Sequence, residues 1–150
     1  MAFKDLLVVV DRMPGCLGRR DLAFELAALW NAHLTALYLV AEPYVPAMMG
    51  INLPPDVLRS QLDDAEADAK RVLDETAQAG ARRGDFLLET RRDSGMIDQL
   101  PSILARHARH ADLVIVGQPN AEMDGVDDAL LAEAAFMNSG RPALVVPFIG

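Results

Sequence analysis

Leu6 to Val10 reads LLVVV, an unbroken apolar and largely β-branched run. A strand with one wet face alternates apolar and polar residues, whereas an unbroken run fits a strand covered on both faces, as in a parallel sheet. Parallel neighbours need crossover connections of a dozen residues or more, usually helices, so helical periodicity should follow. It does: Leu22, Ala23, Leu26, Ala27 and Trp30 recur at helical spacing after the Pro- and Gly-rich turn DRMPGCLGRR, predicting a helix from Arg19 to about Asn31. His33 to Val40 is then a second strand, closing a right-handed βαβ unit.

The pattern continues. Ala41 to Pro55 holds four prolines around an apolar middle and reads as a packed loop. Leu58, Leu62, Ala65, Ala69, Val72, Leu73 and Thr76 mark a long second helix, ended by Gly80 or Gly84, with SQLDDAEADAKR as its solvated face. Phe86 to Thr90 is a third strand, and Asp93-Ser94 offers an N-cap for a helix through Ile97, Leu100, Ile103, Leu104 and Ala108, with Pro101 in its first turn or splitting it. Leu113 to Val116, Val126 to Met137 and Ala143 to Val146 complete strand, helix and strand. The order βαβαβαβαβ in 150 residues, with no repeat or linker, predicts one domain over residues 1–150, an α/β fold with a doubly wound parallel sheet and helices on both faces.

Charge and composition narrow the function. A net charge of −8 argues against a nucleic-acid partner, and no basic stripe offsets it, since Arg19-Arg20, Arg82-Arg83 and Arg91-Arg92 are separated pairs. No apolar run approaches the ~18 residues of a membrane span. The start MAFKDLLVVVDR has neither a basic leader nor a cleavage pattern, so a cytoplasmic protein is expected. Cys16, the single cysteine, excludes an internal disulfide.

KDLLVVVDR at the start, DLAFELAALWNAHLTALYLV, ARHARHADLVIVG before the fourth turn and SGRPALVVP near the end, in that order and spacing, resemble the universal stress proteins across nearly the whole chain. The resemblance implies a five-stranded sheet of order 3-2-1-4-5, a ligand crevice beside strands one and four, and a homodimer built by the last strand, here Ala143 to Ile149. As an edge strand, that apolar segment would otherwise leave unpaired backbone groups. A topological switch point puts a ligand in the same crevice on physical grounds.

Family members that bind ATP carry, after strand four, a glycine, two residues, a second glycine, then nine residues to a Gly-Ser or Gly-Thr pair. Gly117 matches the first, but Asn120 stands at the second and Leu130-Leu131 near the pair, while Gly125 lies too far along. His110 to Gly140 carries Asp112, Glu122, Asp124, Asp127, Asp128 and Glu133 and no lysine or arginine. Like charges a few ångströms from a triphosphate cost about 1 to 4 kcal/mol per pair. The chain therefore resembles the branch without the nucleotide motif, and no cofactor is expected; ATP with magnesium is the alternative.

The expected ligand-binding residues are Asp11, Arg12 and Met13 after strand one, Val40 ending strand two, and Gly117, Gln118 and Pro119 after strand four. The resemblance places an acid at Asp11 near a nucleotide base; as a residue, Asp11 is equally a turn former, and Val40 equally core. Gly15-Cys16-Leu17-Gly18 before Arg19 and Arg20 is a rival anion turn, against a plain turn with solvated arginines. Cys16 could there be a low-pKa thiol or an inert one. His107 and His110 share a helix end and could ligate metal with Asp112 or His33, or merely complement the helix dipole. Glu122, Asp124, Asp127 and Asp128 lack the alternation of a calcium loop and read as a negative cap on the fourth helix. Met48, Met49 and Ile51 read as a lid, a dimer contact or simple packing. No Ser-His-Asp or Cys-His arrangement assembles from the spacing, so an enzyme is not expected. A binding protein for a partner or small molecule is the leading expectation; a slow ATPase using Asp11 and Gly117, or a metal-dependent hydrolase using the paired histidines, are the others.

Overall fold

The computed structural model describes residues 2–43, 54–119 and 126–148, with the side chains of 126–128 outside that description. Five strands, β1 (Asp5–Val9), β2 (His33–Glu42), β3 (Leu87–Met96), β4 (Leu113–Gly117) and β5 (Ala143–Val146), alternate with four helices, α1 (Cys16–Trp30), α2 (Pro55–Arg83), α3 (Leu100–Ala108) and α4 (Val126–Met137). The sheet order is β3-β2-β1-β4-β5, and every pairing is parallel.

Pleating explains why LLVVV needed no polar residue. Leu6, Val8 and Val10 join one core layer, built with Phe24 and Ala27 of α1 and Ala69 and Val72 of α2. Leu7 and Val9 join a second layer, with Leu104 and Ala108 of α3 and Ala132 and Ala135 of α4. Each large apolar side chain so buried contributes roughly 1.5–3 kcal/mol relative to exposure.

Several boundaries differ from the sequence reading. α1 starts at Cys16, a turn earlier than expected, and its buried face runs Cys16, Arg19, Ala23, Phe24 and Ala27. Leu22 is exposed. The stripe is thus rotated toward Arg19, and Phe24 is fixed there by its stack on Phe86, with ring centroids 5.0 Å apart. β2 continues through Ala41 and Glu42 into the expected loop, and α2 opens on Pro55, whose missing N–H is harmless at a first helical position. α2 ends at Gly84, in the left-handed conformation (φ 67°), whereas Gly80 is inside the helix against Leu88.

Asp93-Ser94 is not a helix cap. β3 runs on to Met96, and Gln99 precedes α3, its side-chain oxygen accepting the Met96 N–H at 3.2 Å. The Asp93 carboxylate is used otherwise: it accepts Arg106 Nη2 at 3.0 Å and contacts His107 Nε2 at 2.9 Å. Pro101 falls in the first turn of α3 and does not split it. The segment holding Met48, Met49 and Ile51, the acids Glu122 and Asp124, the side chains of Asp127 and Asp128, and Ile149 lie outside the described residues.

Candidate functional site

β1 and β4 are neighbours in the sheet, and the connection from β1 to β2 and that from β4 to β5 leave their carboxyl ends in opposite directions, opening a crevice between them. The Asp11 side chain shapes this exit. Its Oδ1 accepts the Met13 N–H at 2.8 Å, a local turn of the kind aspartate favours, and the Cys16 N–H then reaches the Met13 carbonyl at 2.9 Å to begin α1.

Asp11, Arg12, Met13 and Val40 line a cleft of about 430 Å³. One wall is α2, through Gln61, Asp64, Ala65 and Asp68; Leu100 of α3 and Leu131 of α4 form the other, over a floor of strand ends that includes Tyr38. The size is that of a small-molecule site. Gly117, Gln118 and Pro119, expected to share this site, are not among its lining residues. The Gln118 N–H instead extends the β4–β5 ladder by donating to the Val146 carbonyl at 2.8 Å.

Between Asp11 and Gly117 stands Arg19. Its side chain is buried and reaches from α1 to the end of the sheet, where Nε donates to the Val9 carbonyl at 2.7 Å and Nη2 pairs with the Asp11 carboxylate. Its Nη1 occupies the space where a Cβ on Gly117 would stand. Gly117 is small because an internal guanidinium lies against it. Periodicity carried a signal for this residue: Arg19, Ala23 and Ala27 follow one another four apart, on the face that the two alanines bury.

The wall on α2 was read as a solvated face. Asp64 and Asp68 are four apart, beside Ala65 and one residue before buried Ala69, so they edge the buried stripe rather than oppose it. Asp68 binds Arg12 Nη1 and Arg71 Nη2, each at 3.0 Å, and these two guanidinium groups hold its carboxyl below the usual range. Burial, followed by the charge of Asp68, pushes the Tyr38 phenol up.

The rival anion turn is built for other purposes. A Cβ at Gly15 would make ordinary contact with Phe148, and one at Gly18 would meet nothing within 4 Å, so neither glycine is required by a close approach. Arg19 is buried rather than solvated, and Arg20 pairs with Asp21 at 2.8 Å. Cys16 is buried, its Sγ 3.3 Å from the Asp11 amide nitrogen; burial, then Asp11, push its thiol up, which favours the inert reading.

All three histidines meet at a pocket of about 160 Å³ on the α3 side of the sheet, with Asp5, Thr35 and Arg91. His33 lies between Asp5, 3.5 Å from Nδ1, and Glu89, 3.6 Å from Nε2, while His107 is engaged by Asp93. Among the described residues, no three His, Cys, Asp or Glu side chains stand in a metal-holding group. Asp112, weighed as a third ligand, accepts the Lys4 and Asp5 N–H groups at 2.9 and 3.1 Å and so ties β4 to the start of β1.

Solved structures place this architecture among known proteins. Universal stress protein UspA from Lactobacillus plantarum superposes with a TM-score of 0.76 at 21% identity, over 97% of this chain and 99% of that one. A universal stress protein family member from Burkholderia pseudomallei gives 0.67 at 24%, over 96% of each chain. A universal stress protein crystallised in complex with cAMP gives 0.63 at 21%, over 99% of each. No curated protein matches the chain at the sequence level. At these identities the superpositions establish the fold; membership rests on the sequence itself, where the model of the universal stress protein family matches residues 2–135, nearly the whole succession of strands and helices described above, and the chain belongs to that family.

Proposed function

We propose that this universal stress protein is a non-catalytic, cytoplasmic, homodimeric binding protein whose cleft receives a small molecule or partner other than ATP. The observation that carries the reading is Arg19. In the corner between β1 and β4, where the ATP-binding pattern begins at a glycine, an internal guanidinium lies against Gly117 and is paired with Asp11, the acid that the resemblance would place near a nucleotide base. A phosphate tail would have to displace a buried ion pair, and the sequence that follows Gly117 carries acids and no lysine or arginine up to Gly140. Cys16, with its raised thiol, is a poor nucleophile. Among the described residues no helix is long and apolar enough to cross a membrane.

One observation favours a second reading, an adenine-nucleotide site or slow ATPase with magnesium: a structural relative was crystallised with cAMP. Thermal unfolding with millimolar ATP and magnesium, and separately with cAMP, decides between them. A ligand that binds only the native state at 100 times its Kd stabilises by about 2.7 kcal/mol, which a melting curve resolves easily. An unchanged melting temperature is expected; a saturable rise with ATP overturns the proposal.

A further inference from the structure

Tyr38 is nine-tenths buried on β2, its side chain lines the cleft, and its hydroxyl has no hydrogen-bond partner among the described residues. A ligand that fills the cleft displaces water from this hydroxyl, and one that then leaves it unpaired loses roughly 1–3 kcal/mol. The carboxylates around the cleft differ in what they have left to offer. Asp11 is taken by Arg19 and the Met13 N–H, and Asp68 by two arginines. Asp64, one turn before Asp68 on the same wall, has no ion pair among the described residues. Arg12, the one basic residue in the lining, is committed to Asp68. Among the described residues the lining thus presents one carboxylate outside any ion pair, the Tyr38 hydroxyl and the Gln61 amide, while Leu39, Val40, Leu100 and Leu131 supply apolar surface.

An anionic ligand would meet Asp64 with no free cation to answer it. A hydrocarbon would strip water from Asp64 and Tyr38 and return nothing. A group with several N–H donors and a positive charge satisfies both, and an attached carbon body covers the apolar floor. Resting on the reading of this cleft as a ligand site that does not take ATP, we propose that it is a receptor for a small organic cation, a primary amine with an aryl or alkyl body, its ammonium group held by Asp64 and the Tyr38 hydroxyl.

Isothermal titration with phenethylamine, 3-phenylpropionate and ATP-magnesium tests this, because the first two share a carbon body and differ in charge. Saturable binding of phenethylamine is expected, with no binding of phenylpropionate. Asp64→Asn, at an exposed position, should weaken the amine roughly tenfold, and Tyr38→Phe, which keeps the ring packing, several-fold. Far-UV circular dichroism and an unchanged melting temperature establish that the variants fold. Equal binding of both phenyl compounds, an affinity untouched by Asp64→Asn, or no amine binding at millimolar concentration each overturns the proposal. In the last case, ATP that also fails to bind leaves the non-nucleotide reading intact, whereas ATP that binds removes both.

Discussion

Arg19 and Gly117 form a pair in which each residue explains the other. An alanine at 117 would drive its methyl group into the guanidinium. That group cannot swing away without releasing the Val9 carbonyl and the Asp11 carboxylate. Gly117→Ala should therefore destabilise the protein by about 1–3 kcal/mol, as overpacking of a filled interior does. Arg19→Ala should cost about 3 kcal/mol by emptying a buried site and leaving the Val9 carbonyl without its donor. The double variant should lose less than the sum, since the methyl group then enters vacated space; urea unfolding of the four proteins measures the coupling, and strict additivity would disprove the contact. The turn-forming role of Asp11 was legible as one of its two readings, but its pairing with Arg19 was not. Two adjacent arginines read as a solvated pair, and helical phase distinguishes them only when Ala23 and Ala27, rather than Leu22 and Leu26, are recognised as the centre of the buried face.

At the scale of elements, the strands and helices were legible because the alternation of β-branched runs with helical spacing has one economical solution, and the boundaries were lost where polar residues serve two purposes. Asp93-Ser94 is as good a cap as it is a strand end. What decides is tertiary: the Asp93 carboxylate, on a strand at the sheet's edge, finds Arg106 and His107 across on α3, so β3 continues. The solvated face of α2 was legible, since Asp64 is exposed, but not that its acids at 64 and 68 edge a cleft, which exists only once the sheet is assembled. Asp112 supplies the prediction at this scale. Hydrogen bonds from the Lys4 and Asp5 amides hold its carboxyl below the usual range. A carboxyl lower in the folded than in the unfolded state contributes stability above its unfolded pKa, and that contribution disappears as pH falls through the folded value. Melting temperature followed on acidification through and below the ordinary carboxylate range should fall more steeply for the native protein than for Asp112→Asn. Parallel curves would mean that the clamp between β1 and β4 adds nothing.

The whole molecule leaves one edge of its sheet to account for. β5 is the last strand, paired only with β4, and the β4–β5 bonds run from the Val114 and Gln118 N–H groups to the carbonyls of Pro142 and Val146. Alternation along a strand then turns the N–H and C=O groups of Ala143 and Val145 outward, unpaired among the described residues. Phe136, Met137 and Phe148, near this C-terminal edge in sequence, are large and exposed. An apolar edge of this kind is a template for another chain, and a second copy, offering the same groups, would close the contact on itself. Val145→Pro separates assembly from folding. It deletes an outward N–H while the inward bonds from Val114 and Gln118 remain, and an edge strand tolerates proline at such a position. Sedimentation velocity at micromolar protein should show a dimer for the native chain and a monomer for the variant, with circular dichroism unchanged. A native monomer, or a variant that stays dimeric, would place the interface elsewhere and leave β5 to be protected by the proline at 147 and by its own shortness, four residues that give a neighbouring chain little to pair with.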